Sequence, residues 1–282
     1  MQAQNLISEG FDVFSNLAGA GWISTNQSSP LGASTWAQGG GTAFSTGGQA
    51  GGATSFTLCN FNSTTGTGTI SNWLITPVLN LQNGDIVSFY TRKGGTGTGT
   101  IYPDRLEMRL NSSDTSSSGN PSGATGVGAF TTLAVSVNPS LTTSGYPFTW
   151  TQYSYTVSGL SGTVACRIGF RYFVTNGGPS GANSDIIGLD TFSVDRPLST
   201  NDFFKNNFSM YPNPVERDLN INVKDNTKIN YVEISDMNGR VVKSSNAIFG
   251  NLQMNVSELN SGVYFVSVET DEGKGIAKFI KK

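Results

Sequence analysis

The sequence predicts an all-β chain in two sandwiches, and three observations carry that prediction. No segment sustains a 3.6-residue apolar period. Apolar residues alternate with polar ones instead, as in Leu219-Asn220-Ile221-Asn222-Val223, the period of a half-buried strand. Composition also shifts along the chain: residues 1–196 hold 16 charged side chains and 30 of the 35 glycines, whereas residues 197–282 hold 20 charged side chains and five glycines. The shift places a boundary at Pro197-Leu198-Ser199-Thr200-Asn201-Asp202, a polar, Pro-containing stretch with the composition of a linker. We therefore expect domains at 1–196 and 210–282, joined by a linker at 197–209.

In the first domain the clear strand-like runs are Ile86–Tyr90, Leu106–Leu110, Phe148–Tyr155 and Val164–Val174. They argue for an antiparallel two-sheet sandwich. The Gly/Thr/Ser stretches at 39–54, 63–69, 94–100 and 112–128 read as surface loops, with little to bury. In the second domain Val232 and Ile234 repeat the strand period. Asn238-Gly239 offers positive φ for a tight hairpin into Val241-Val242. Tyr264, Val266 and Val268 share a face, Glu272-Gly273 marks a turn, and Ala277 and Phe279 lie opposite Lys278 and Ile280. About seven short strands in so short a segment suggest a small immunoglobulin-like sandwich. Pro212 and Pro214 cannot donate ladder hydrogen bonds and stiffen its entry.

Composition narrows the chemistry. The net charge of −2 gives no footprint for nucleic acid. No run of about 18 apolar residues exists to span a membrane as a helix. The chain has no histidine, which removes Ser-His-Asp and Cys-His catalysis and histidine metal ligands. Only Cys59 and Cys166 could form a disulfide. Cys166 shares a face with Ile168 and Phe170, and spacing leaves a bridge and two buried thiols both open.

The C-terminal motifs run in a fixed series: Tyr211-Pro212-Asn213-Pro214, the Leu219–Val223 strand, Met237-Asn238-Gly239-Arg240-Val241-Val242, Leu259-Asn260-Ser261-Gly262-Val263-Tyr264, and a basic end, Lys278-Phe279-Ile280-Lys281-Lys282. This series resembles the type A C-terminal sorting domain of the type IX (Por) secretion system of Bacteroidetes. The resemblance implies that Tyr211, Pro212, Asn213, Pro214, Gly239, Gly262, Tyr264, Lys278, Lys281 and Lys282 form a sorting signal. It also implies the type IX translocon, a shuttle β-barrel and a sortase-like peptidase as partners; the composition break and the position of Tyr211-Pro212 put the peptidase's cut between Arg196 and Ser209. Met1-Gln2-Ala3-Gln4 runs directly into Asn5-Leu6-Ile7. A signal peptide, which such cargo needs, is therefore expected upstream or already removed.

A second series covers the first domain. Glu9-Gly10-Phe11-Asp12 precedes Gly21-Trp22. Asn72-Trp73-Leu74-Ile75-Thr76-Pro77 and Tyr102-Pro103-Asp104-Arg105-Leu106-Glu107 follow. The domain closes on Ile187-Gly188-Leu189-Asp190-Thr191-Phe192-Ser193-Val194. This succession resembles the cleaved-adhesin, or choice-of-anchor J, family of surface-protein jelly rolls. The resemblance implies a jelly-roll β-sandwich ahead of the immunoglobulin-like one, and a secreted, surface-anchored adhesin. The alternatives are a carbohydrate-binding module of a polysaccharide-using system and a gliding-associated structural protein without its own ligand.

The resemblance also implies Ca²⁺ where the first and last strands meet, with Glu9, Asp12 and Asp190 as ligands, since Ca²⁺ takes six to eight oxygens. The competing expectation is that these acids are solvated strand ends or pair with Arg167 or Arg171. For glycans, sugar-binding sandwiches stack exposed aromatic rings on pyranoses. Trp22, Trp36, Trp73, Trp150, Tyr102 and Tyr146 are available. Trp73 and Trp150 sit in strand-like runs and are expected in the core; Trp36, in a glycine-rich region, is the ring best placed to meet a glycan, with burial, the usual fate of a large aromatic, as the alternative. No catalysis is expected. Asp104 and Glu107 fall on opposite sides of a strand, no Gly-x-Ser-x-Gly elbow occurs, and Gly94–Gly99 lacks the lysine of a phosphate loop.

Overall fold

The computed structural model describes residues 3–197, 200–224, 228–271 and 273–282, without the side chains of 247–249. Leu198 and Ser199 of the expected linker and Glu272 of the expected turn lie outside the described residues. The chain divides into two compact units, one of Asn5–Arg196 and one running from Pro197 onward.

The first unit has thirteen strands. They are β1 (Ala3–Glu9), β2 (Ile23–Asn26), β3 (Ser29–Leu31), β4 (Ala37–Gln38), β5 (Thr57–Asn60), β6 (Thr64–Ile75), β7 (Leu79–Leu81), β8 (Ile86–Lys93), β9 (Leu106–Asn111), β10 (Thr132–Val137), β11 (Thr151–Thr156), β12 (Val164–Gly177) and β13 (Ile186–Pro197). One sheet runs β11-β8-β13-β5-β4, with β1 also on β13. The other runs β10-β9-β12-β6-β2, with β3 on β6 and β7 on β12. This is an antiparallel jelly-roll β-sandwich.

Its core follows from alternation. Cys166, Ile168, Phe170, Tyr172 and Val174 project inward from β12, and Val87 and Phe89 from β8. The Phe89 and Phe170 rings meet across the sheets at 5.1 Å, and Phe170 meets Phe192 at 5.5 Å. Each such ring contributes roughly 1.5–3 kcal/mol by leaving water. On β13 the inward set is Ile187 and Leu189, then Phe192 and Val194. Strict alternation from Leu189 would have sent Phe192 outward. The register shifts between Asp190 and Ser193, and Thr191 has φ 48°, so a bulge resets the phase. Asp190, the last residue in register before the shift, lies on the face opposite Leu189 by alternation alone.

Two expectations need correction here. The 63–69 stretch is no surface loop. Thr64–Thr69 opens β6, with Thr69 opposite Ser29 and Thr64 opposite Leu31. Its glycines serve close approach: a Cβ on Gly68 would lie 2.6 Å from the Ser29 carbonyl oxygen. The 197–209 segment is no open linker either, because most of it is regular structure. Thr200–Asn207 is a helix, α1, and Phe208–Tyr211 is a strand, β14. Phe203, Phe204 and Phe208 are buried in the core of the second unit. The polar composition of 197–202 concealed this because the three rings come only after it.

The second unit continues with β15 (Asp218–Val223), β16 (Lys228–Asp236), β17 (Val241–Phe249), β18 (Leu252–Asn255), β19 (Gly262–Thr270) and β20 (Gly273–Lys281). A three-stranded sheet, β14-β15-β18, faces a four-stranded one, β17-β16-β19-β20, in an immunoglobulin-like sandwich. Leu219 and Ile221 from the first sheet pack with Val232, Ile234, Val266, Val268 and Phe279 from the second. An eight-residue helix is marginal by itself, so α1 depends on its seat. Gly275 on β20 provides it: a Cβ there would stand 3.0 Å from Phe204 Cα. No helix among the described residues is long and apolar enough to cross a membrane.

Candidate functional site

Glu9 ends β1, Asp12 follows two residues after Gly10, and Asp190 sits on the β13 bulge. All three line one cavity of about 210 Å³, together with Ala50 and Gly51. Asp190 is fully buried. Its Oδ2 accepts the N–H groups of Gln49 (2.6 Å) and Ala50 (3.2 Å), and its Oδ1 accepts that of Thr191 (2.6 Å). Burial pushes its pKa above the usual carboxylate range, while those donors pull the other way. Glu9 Oε1 accepts the Phe11 N–H at 2.7 Å. The oxygen-rich donor set suits a hard cation. The three carboxylates are not drawn into a shell, however, and no cluster of three or more His, Cys, Asp or Glu among the described residues is close enough to hold a metal ion.

Neither arginine weighed as a partner for these acids takes that role. Arg171 Nη1 reaches Glu107 Oε2 at 3.3 Å, and Arg167 Nη1 donates to the Thr76 carbonyl at 3.4 Å. Sequence reading missed Gln38. Its Oε1 accepts the Phe14 N–H at 2.7 Å, and its Nε2 donates to the carbonyls of Phe11 (2.8 Å) and Thr54 (2.6 Å), tying the 50–54 wall to the chain beside Asp12. A lone glutamine in a two-residue strand gives no pattern to find it by.

Trp36 is not an exposed platform. It is 1% accessible, and its Nε1 donates to the Asn72 carbonyl at 3.2 Å. The ring fills the core and cannot face a ligand. Trp73 is buried as expected. Trp150 is half-buried against Phe44 and Phe56. Cys59 and Cys166 are both free and buried. Burial pushes the Cys59 thiol up to about 12.

Asp104 and Glu107 are both committed to partners. Asp104 Oδ1 accepts from Tyr172 Oη (2.5 Å) and from the Asp185 N–H (2.8 Å). Its Oδ2 lies 2.9 Å from Lys93 Nζ, a buried ion pair that lacks hydrogen-bond alignment. Glu107 Oε2 meets Arg109 Nε at 2.7 Å as well as Arg171. Arg171 is stacked 3.5 Å from the centre of the Phe173 ring, and burial lowers its pKa to about 10.

In the second unit the register gathers the C-terminal motifs. Asp236 pairs with Tyr264, Tyr264 with Phe279, and Gly262 with Lys281. The Asn238-Gly239 turn, where Gly239 has φ 79°, therefore falls at the same end of the sheet as Gly262 and the basic C-terminus. Tyr264 stacks on Phe279 at 5.7 Å and donates its hydroxyl to the Asn260 carbonyl at 3.0 Å. Tyr211-Pro212-Asn213-Pro214 joins them there. Asn213 Oδ1 accepts the Ile280 N–H at 3.0 Å, and Asn213 Nδ2 donates to the Lys278 carbonyl at 3.3 Å. Val215 continues the contact, donating to the Ile280 carbonyl (2.8 Å) and accepting from the Lys282 N–H (2.9 Å). Tyr211 is half-exposed, and its Oη accepts from Asn222 Nδ2 at 3.1 Å.

Residues 209–282 match the family model described as a secretion system C-terminal sorting domain. Among solved structures, the K1 cleaved adhesin domain of Lys-gingipain from Porphyromonas gingivalis W83 is 20% identical, with 68% of this chain and 98% of that one covered and a TM-score of 0.44. The K3 cleaved adhesin domain of the same protein is 17% identical, with 69% and 100% covered and a TM-score of 0.42. No curated protein matches the chain.

Proposed function

We propose that this chain is secreted cargo of the type IX system, with a non-catalytic, adhesin-like passenger in residues 1–196 and its export signal in the C-terminal unit. The observation that carries the reading is the convergence of Tyr211–Pro214, Gly239, Gly262–Tyr264 and Lys278–Lys282 at one end of the C-terminal unit. Scattered through the sequence, they meet there, with Tyr211–Pro214, Gly239, Lys278 and Lys282 exposed for a receptor to read and Tyr264 and Lys281 buried. The partners are the translocon, a shuttle β-barrel that holds this surface, and a sortase-like peptidase that cuts ahead of it and joins the passenger to a surface glycolipid. Phe203, Phe204 and Phe208 are buried, so a cut after Phe203 would have to unpack them. We place the cut between Arg196 and Phe203.

A non-catalytic passenger accords with the absence of histidine and with the commitment of Asp104 and Glu107 to Lys93, Tyr172, Arg109 and Arg171. Ca²⁺ is proposed at the Glu9, Asp12 and Asp190 cavity. Three of the domain's nine acids line it, and an ion would relieve the burial of Asp190. It would have to replace amide hydrogen bonds that Asp190 now accepts.

The test of the sorting role is a pair of reporter fusions in a type IX-competent cell, each behind a signal peptide. One carries residues 197–282 and the other 210–282. We expect the first on the cell surface and the second retained, because it lacks α1 and half of β14, with the buried Phe203, Phe204 and Phe208. Retention of both would refute the assignment.

A further inference from the structure

The first unit holds a second cavity, of about 220 Å³, where the β12–β13 loop meets Tyr102 of the β8–β9 loop and Phe61 after β5. Its frame is fixed. Ser184 and Asn176 have φ values of 77° and 52°, conformations that persist only where the surroundings enforce them. The Ser184 N–H donates to the Pro103 carbonyl (2.8 Å), the Gly178 N–H to Ser184 Oγ (2.8 Å), and the Asn183 N–H to the Asn176 carbonyl (3.0 Å).

Within this frame the backbones are committed, and two lining side chains, Asp185 and Tyr102, keep polar groups without a partner among the described residues. The Asp185 N–H donates to Asp104 Oδ1 and its carbonyl accepts the Phe61 N–H, each at 2.8 Å. The Tyr102 carbonyl accepts Lys93 Nζ at 2.6 Å. Yet the Asp185 carboxylate makes no hydrogen bond or ion pair to any described residue, though it is half-buried and its pKa is raised by burial and by Asp104. The Tyr102 side chain is 41% exposed, and its hydroxyl also has no partner among the described residues. A half-buried carboxylate without a partner costs stability, and elsewhere in this unit the buried acids Asp85, Asp104, Glu107 and Asp190 are all hydrogen-bonded.

The lining selects the ligand class. Two aromatic rings supply an apolar wall, and one carboxylate, a serine and glycine backbone supply polar groups. No basic side chain lines the cavity, which argues against phosphate or sulfate. One carboxylate is too few to hold a divalent cation. Apolar C–H faces with hydroxyl donors at the rim are the features of a pyranose, which stacks on aromatic rings and donates to carboxylates. The volume lies below the roughly 300–1,000 Å³ of pockets for drug-sized ligands, leaving room for one ring. We propose that this cavity binds a single neutral pyranose unit of a glycan, with Asp185 accepting its hydroxyls and Tyr102 and Phe61 covering its apolar face. The inference goes beyond the sorting role and does not depend on it.

The test titrates methyl glycosides of glucose, galactose, mannose, fucose and N-acetylglucosamine into the full chain, followed by saturation-transfer NMR, with Asp185→Asn and Tyr102→Ala chains alongside. Tyr102 is exposed, so its truncation keeps the test valid if Asp185→Asn folds poorly. We expect at least one glycoside to bind and to weaken about tenfold or more in each variant that folds, the effect of losing a charge-assisted hydrogen bond or a stacking ring. Three outcomes would overturn the proposal: no glycoside binds, binding is equal in Tyr102→Ala, or Ca²⁺ alone perturbs Asp185.

Discussion

Asn213 and Ile280 are joined by a side chain that substitutes for a strand: Asn213 Oδ1 accepts the Ile280 N–H at 3.0 Å while its Nδ2 donates to the carbonyl of Lys278. β20 is an edge strand of its sheet, and such an edge leaves a row of backbone groups to be satisfied. Pro212 and Pro214 have no N–H to offer, so the asparagine between them makes the link. Val215 then extends it as a parallel bridge to Lys281.

Replacing Asn213 with Ala should therefore release the end of β20 without unfolding the unit. The expected cost is about 1 kcal/mol, the net value of a typical hydrogen bond. Amide exchange at Ile280 should accelerate while exchange at Val266, deep in the sheet, stays slow. Unchanged protection at Ile280 would count against the clip.

The seat of α1 gives a larger effect. Phe204→Ala should destabilise the C-terminal unit by about 3–5 kcal/mol, the range for a buried phenylalanine. Gly275→Ala should act in the same direction, because its new Cβ would press on Phe204 Cα. Denaturant unfolding of a 197–282 fragment measures both, and an unaffected midpoint would mean that α1 contributes little.

Calcium and pH should be linked through Asp190. Its folded pKa is raised, so the native state holds that proton more tightly than the unfolded chain does. Without an ion, the Asp190 contribution to stability is greatest below the unfolded value of about 3.9 and is lost as pH rises through the folded one. Calcium needs the carboxylate ionised, so its stabilising shift in Tm should grow over the same window. Asp190→Asn should abolish both effects. A Tm indifferent to Ca²⁺ and chelator at every pH would remove the ion from the account.

The cysteines should be inert in the native state. Cys59 is wholly buried, with its thiol held at about 12, and the thiolate is the reactive form. Both thiols should alkylate fully in denaturant and negligibly without it, and reductant should leave Tm unchanged.

The sequence made some of this legible because strand period and turn chemistry are local. Leu219–Val223 and Tyr264–Val268 announce their buried faces, and Asn238-Gly239 announces its hairpin. Glu9, Asp12 and Asp190 could be grouped only through resemblance, since some 180 residues separate them, and they do line one cavity. What misled was reading glycine as flexibility. Gly68 and Gly275 are there so that other chain segments can approach. Nor could spacing reveal that Asn213 reaches Ile280, or that the Asp185 carboxylate would have no partner among the described residues while Asp104 beside it pairs with Lys93 and Tyr172, because those facts depend on long-range register.

The most direct measurement is the intact mass and C-terminal peptide of this protein recovered from the surface of its own cells. The account predicts a chain ending between Arg196 and Phe203 with the added mass of a glycolipid. A surface chain that still ends in Lys282, or a chain that never leaves the cell, would contradict it.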